Sequence, residues 1–190
     1  MSLDKLSKQL QQNNNSDQAK LPPIELWNPP FCGEIDLQIK ANGDWYYGGT
    51  VFKRLALVKL FASVLWREQD EQRDEYFLVT PVEKVKITVE DAPFIITQWR
   101  WLDDKQTIME VSTNLADTFV LDASRHLTID EQGSLYINVR RNLFAKVHRN
   151  VYYQWVDLAA EQSANQEKQS TEPVALYFYS DGQKFILGHY

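Results

Sequence analysis

Residues 76–96, YFLVTPVEKVKITVEDAPFII, limit the fold more than any other part of this 190-residue chain. Val85, Ile87 and Val89 alternate with Lys84, Lys86, Thr88 and Glu90. That period of two describes a strand with one buried and one solvated face. Pro81 and Pro93 bracket it. Proline cannot donate to a ladder, so each marks an edge, a bend or a strand start. Val82 is out of phase with Val85, which predicts a bulge near Glu83. YFLVT before Pro81 and FIITQWRW after Pro93 read as further strands, the second with Ile95, Thr97, Trp99 and Trp101 on one face. DDKQ at 103–106 then turns into TIMEVS. The prediction is an antiparallel meander punctuated by prolines.

The turns and helices follow from local chemistry. IDLQI and DWYY flank Asn42-Gly43, a pair suited to the positive φ of a tight hairpin. After Gly48-Gly49 the period lengthens. Leu55, Val58, Phe61 and Leu65 fall at helical spacing, and Leu57, Leu60 and Val64 widen the face. REQDEQRDE, 67–75, reads as a solvated charged loop.

HLTIDEQGSLYI resembles DLQIKANGDWYY, with Ile129 on Ile39 and Gly133 on Gly43 at one constant offset. A second helix is predicted from about Asn142, with Leu143, Val147, Val151, Trp155 and Leu158 on one face. EQSANQEKQSTEP is a polar loop, and ALYFYSDGQKFILG a hairpin about Asp181-Gly182. The shared order of hairpin, helix and two strands favours internal duplication over chance self-matching. The expected fold class is α+β, with two related halves of mostly antiparallel sheet and one helix each. The expected divisions are a flexible Asn/Gln-rich segment at 1–20, an N-terminal half at 21–80 and a C-terminal half at 81–190.

Composition excludes several classes. Six Trp, nine Tyr and nine Phe supply a globular core. A net charge of −6 lacks the basic footprint of a general nucleic-acid binder. The one cysteine, Cys32, cannot form an internal disulfide, which points to a reducing, cytoplasmic setting. No apolar run resembles a signal, and LALVKLFASVLW is broken by Lys59 and far short of the roughly 20 residues that span a bilayer. No membrane association is expected.

Catalytic and metal chemistry find little to stand on. His126, His148 and His189 show no ligand spacing, so no metal and no cofactor are expected. Cys32, in PFCGE, reads as a small apolar residue packed beside Phe31. Gly48-Gly49 matches no phosphate loop. Asp103-Asp104 is turn chemistry. Glu83 and Asp91 flank a bend, and turn hydrogen bonding is favoured there over a site role. No catalytic residue is assigned. The sharper pattern is basic. Residues 45–67 and 138–150 contain no acid but carry Lys53, Arg54 and Lys59, then Arg140, Arg141, Lys146 and Arg149. A basic pair opening a helix opposes the dipole unless an anion sits there.

ELWNPPFCGEIDLQI, LVTPVEKVKITVEDAPF and RNVYYQWVDLA together resemble the bacterial family called domain of unknown function 1285, from about Leu21 to the C-terminus. The resemblance implies a duplicated α+β core whose C-terminal half is loosely similar to a pleckstrin-homology domain. It also implies a nucleotide-like ligand at the interface between the halves, and a role in signal transduction or a stress response. Placed on that expectation, Arg140 and Arg149 meet a small anionic ligand through their forked donors. Tyr153 or Trp45 stacks a base. Glu83, Lys84 and Asp91 line the cleft from the first half, and Thr113 and Asn114 add polar contacts. Two alternatives stand: a protein-interaction module with a signalling partner, and an enzyme with unrecognised acid and base residues.

Overall fold

A computed structural model describes residue 10, residues 21–164 and residues 175–189. The flexible segment expected at 1–20 lies outside the described residues, Leu10 apart. The chain divides into two compact units, Met1–Asp91 and Ala92–Tyr190.

In the N-terminal unit the strands are β1 (Phe31–Ile39), β2 (Trp45–Tyr47), β3 (Thr50–Val51), β4 (Leu65–Gln69), β5 (Asp74–Val79) and β6 (Lys84–Val89). Helix α1 (Leu55–Ser63) separates β3 from β4. The sheet order is β3-β2-β1-β6-β5-β4. Every pair is antiparallel except β1 with β6. Gly43, at φ 82, closes the β1–β2 hairpin, and its N–H donates to the Lys40 carbonyl at 2.8 Å. α1 buries Val58, Phe61 and Ala62. Leu37, Ile39, Phe61, Leu65 and Leu78 are fully buried, each worth roughly 1.5–3 kcal/mol relative to exposure.

Three local expectations change here. The charged stretch at 67–75 is not a loop but the β4–β5 hairpin, because its charges pair across strands. Arg67 holds Asp74 through two hydrogen bonds of 2.6 Å, Lys86 reaches Glu75 at 2.7 Å, and Lys84 pairs with Glu68. The phase change at Val82 is a tight turn rather than a bulge. The Thr80 N–H donates to the Glu83 carbonyl at 2.9 Å, and Thr80 Oγ1 accepts the Glu83 N–H at 3.1 Å. Cys32 is exposed rather than packed. β2 pairs only with Leu37–Ile39 of β1, so it does not cover the part of β1 that carries Cys32 and the 59% exposed Phe31.

The C-terminal unit contains β7 (Phe94–Trp101), β8 (Met109–Thr113), β9 (Thr118–Val120), β10 (Leu127–Ile129), β11 (Leu135–Arg140) and β12 (Leu143–Val147). Helix α2 (Arg149–Ala164) and the hairpin of β13 (Ala175–Ser180) and β14 (Gln183–His189) follow. The order is β10-β11-β12-β7-β8-β9, with β12 parallel to β7. β13 and β14 form a separate two-stranded sheet. The hairpin is held on α2 by Trp155 against Phe178, with ring centroids 5.2 Å apart, and Phe178 stacks on Phe185 at 5.5 Å. Ser180 Oγ accepts the Met109 N–H at 2.9 Å and ties the hairpin tip to β8.

The two halves are similar, and the overall class is α+β and mostly antiparallel. In each, a three-stranded meander is followed by a second one, and the first strand pairs parallel with the last: β1 with β6, β7 with β12. The offset read from the glycine turns is therefore corrected. β1 corresponds to β7, since β1 is interior to its sheet whereas β10 is an edge. The second helix also starts later than Asn142. Leu143, Ala145 and Val147 are buried on one face of β12, and a spacing of four fits a strand as well as a helix. The division lies between Asp91 and Ala92 rather than between 80 and 81, because β6 completes the first sheet between β1 and β5.

Candidate functional site

Arg140 ends β11, and the turn after it contains Arg141 at φ 52. Arg140 Nη1 lies 2.7 Å from Asp117 Oδ1. Its guanidinium sits 4.6 Å from the Phe94 ring centroid. The Asp117 N–H donates to Thr113 Oγ1 at 3.1 Å, and the Thr113 N–H donates to the Asp117 carbonyl at 2.9 Å. Asn114 Oδ1 accepts the Ile95 N–H at 3.0 Å. The fold thus brings Arg140, Thr113 and Asn114 together around the β8–β9 turn. It does so by engaging their polar atoms internally, with Asp117 supplying the anion.

Arg149 and Tyr153 are also neighbours, one turn apart on α2. Arg149 Nε donates to Tyr153 Oη at 2.9 Å, and the guanidinium lies 5.4 Å from that ring's centroid. Arg149, Lys146 and Tyr152 line a hollow of about 260 Å³ against Gly133, Ser134 and Leu135. His148 caps this end of α2, its Nδ1 accepting the Asn150 N–H at 3.2 Å.

The remaining expected residues belong to the N-terminal unit. Trp45 is 2% exposed in β2, packed as core rather than offered for stacking. Glu83 is 3% exposed at the Thr80 turn. Lys84 pairs with Glu68, with its Nζ 4.1 Å from the Phe77 ring. Asp91 is the last residue of that unit.

A larger cavity, about 350 Å³, lies wholly within the C-terminal unit. One wall is the loop Asp122–His126 with Leu127 and Ile129 of β10, and the other is Gln183–Ile186 of β14. Small-molecule sites usually span about 300–1,000 Å³, which favours this cavity over the smaller hollow. Arg125 is held on one side by the Val139 carbonyl, which accepts from Nη1, and by the Phe119 ring at 4.4 Å. Lys184 Nζ sits 3.8 Å from the Tyr177 ring centroid. Asp122 Oδ1 accepts both the Ser124 hydroxyl and, at 2.8 Å, the Ser124 N–H. The Ser124 hydroxyl first, then its N–H and the nearby Arg125 charge, hold the Asp122 carboxyl below its ordinary value.

Sequence reasoning missed this cavity. Its signals are present, as an Asp-x-Ser turn at 122–124 followed by the basic pair Arg125-His126. Only the approach of β10 to β14 adds Lys184. Among the described residues no group of three or more His, Cys, Asp or Glu could hold a metal ion, and no helix is long and apolar enough to cross a membrane.

Comparison with known proteins covers both units. Residues 22–92 match the model described as domain of unknown function (DUF1285), N-terminal domain, and residues 93–187 match the C-terminal domain of the same family. The chain is similar to the crystal structure of a DUF1285 family protein from Silicibacter pomeroyi DSS-3. That match has 32% identity and a TM-score of 0.73, and covers 95% of this chain and 94% of that one. A DUF1285 family protein from Shewanella baltica OS155 has 35% identity and a TM-score of 0.52, covering 64% of this chain and 90% of that one. No curated protein matches.

Proposed function

The chain belongs to the DUF1285 family, and we propose that this member binds a small anionic, nucleotide-like ligand in the cavity of its C-terminal unit. The observation that carries the reading is that Arg125 and Lys184 both line that 350 Å³ space, one from each wall. In a chain of net charge −6, two cations at one concavity offset the repulsion an anion meets elsewhere. Leu127, Ile129 and Ile186 add apolar surface for the uncharged part of a ligand. Binding of this kind fits a sensor, with a role in signal transduction as its use and the cytoplasm as its setting. The order of six strands followed by α2 is what supports a loose pleckstrin-homology likeness for this unit.

A general acid among the shifted carboxylates has less support. The carboxylates with a resolved shift, Asp70, Glu90, Asp103, Asp122 and Asp130, all move down toward the ionised form. A general acid needs the opposite.

A thermal-shift series with mononucleotides and sugar phosphates tests the proposal. A ligand at 100 times its Kd adds about 2.7 kcal/mol of stability. The expected result is a raised melting temperature that Lys184→Ala diminishes. No shift with any small anion, or an unchanged shift in Lys184→Ala, sinks the proposal.

A further inference from the structure

We infer that the ligand of this cavity is a hydroxylated monophosphate of mononucleotide size, its phosphate met by Arg125 and Lys184 from the two walls and a hydroxyl donating to Asp122 beside Arg125. The inference rests on the anionic-ligand reading above and adds a second recognition element to it. The cavity carries both signs of charge, since Asp122 lines it together with the two cations. An ionised carboxylate accepts hydrogen bonds and donates none. A bare anion therefore meets attraction from one part of the wall and repulsion from another. A ligand with a donor beside its anionic group satisfies both.

Both Ser124 bonds fall on Oδ1 of Asp122, so the proposed hydroxyl is assigned to Oδ2. The Asp122–Ser124 turn fixes the carboxylate, and the Phe119 ring and Val139 carbonyl fix Arg125. The two elements are thus held in place before a ligand arrives, which lowers the ordering cost of binding. Leu127, Ile129 and Ile186 give the uncharged part of the ligand an apolar surface. A volume near 350 Å³ is at the small end for ligand sites, which suits one sugar-phosphate unit rather than a dinucleotide. Two cations against one carboxylate also match a monophosphate better than a triphosphate.

The test is calorimetric titration of the full chain and of Asp122→Asn and Lys184→Ala with inorganic phosphate, ribose 5-phosphate, adenosine monophosphate and its 2′,3′-dideoxy form. Asparagine keeps an oxygen for the Ser124 bonds, so the turn persists, and a melting curve checks it. Wild type is expected to bind adenosine monophosphate about tenfold tighter than the dideoxy form, the scale of one hydrogen bond to a charged group. Asp122→Asn should erase that difference and bind inorganic phosphate as well as wild type or better. Lys184→Ala should weaken every phosphate. If wild type binds both adenosine monophosphates equally, the hydroxyl contact to Asp122 is wrong, whether or not Asp122→Asn folds. If that equality comes with weakening by Lys184→Ala, the anionic cavity stands and only this inference falls. If no phosphate binds, both fall.

Discussion

Arg140 joins an ion pair to an aromatic face in one partly buried place. Its side chain is 12% exposed, against 32% for Asp117. Removing one partner of a buried pair costs about 3–5 kcal/mol, and an exposed pair contributes little. Arg140→Ala should therefore destabilise by about 1–3 kcal/mol, seen as a lowered denaturation midpoint at unchanged slope. Asp117→Asn in the Arg140→Ala background should cost less than in wild type, because the orphaned carboxylate is then gone. Additive losses would show that the pair is not coupled. A second residue-scale prediction concerns Asp130, whose Oδ1 accepts the Ser134 N–H at 2.7 Å and the Gln132 N–H at 2.9 Å. The Ser134 N–H first, then that of Gln132, lowers its pKa below 3.8. A depressed carboxylate contributes stability above its unfolded pKa and loses it as pH falls through the folded value. The melting-temperature gap between wild type and Asp130→Asn should thus be open at neutral pH and close below about pH 4. A gap that widens in acid contradicts the linkage.

Among the elements, α1 begins on an unfavourable residue. Its N-cap is Arg54, with no side-chain capping bond and no acid in the first turn. A cation there also opposes the dipole. Arg54→Ser should stabilise by about 1 kcal/mol, or roughly 2–4 °C in a chain of this size. A fall in melting temperature in phosphate-free buffer would mean that Arg54 holds something at this end. Val58 and Phe61 of α1 were legible from their spacing of three, whereas Leu55 is 53% exposed and Leu65 opens β4 rather than extending the helical face. β12 was not legible, because Leu143 and Val147 obey both periods and only pairing decides. Ala145 and Lys146 are claimed by β11 on one side and β7 on the other. The charged β4–β5 hairpin was illegible for a related reason: its polarity reads as a loop until partners such as Arg67 and Asp74 are seen to meet diagonally across the two strands.

In the whole molecule, two meanders joined by a parallel pair recur in each half. That closure is internal to each unit, as β7 meets β12 within 92–190. The segment 92–190 should accordingly fold when produced alone, with dispersed amide resonances and a cooperative melt. Loss of cooperativity would show that its core depends on residues before 92. The helix falls between the meanders in the first half and after them in the second, so the halves share a sheet plan without sharing one order of elements.

Strand alternation around Val85–Val89, the glycine turns at Gly43, Gly133 and Gly182, and the existence of α1 with Val58 and Phe61 inward were determined by the sequence itself. Each is a property of neighbours within a few residues, where φ preference and side-chain period act directly. Family membership was equally legible, through the strings at TPVEK and VEDAPF. Which strand lies beside which was decided only by tertiary structure, because β1 meets β6, and β7 meets β12, across long stretches of chain. The candidate cavity belongs to that second category. Arg125 and Lys184 carry no signal of each other in the sequence, and they come to line one cavity from its two walls only because α2 holds the β13–β14 hairpin where β14 approaches β10.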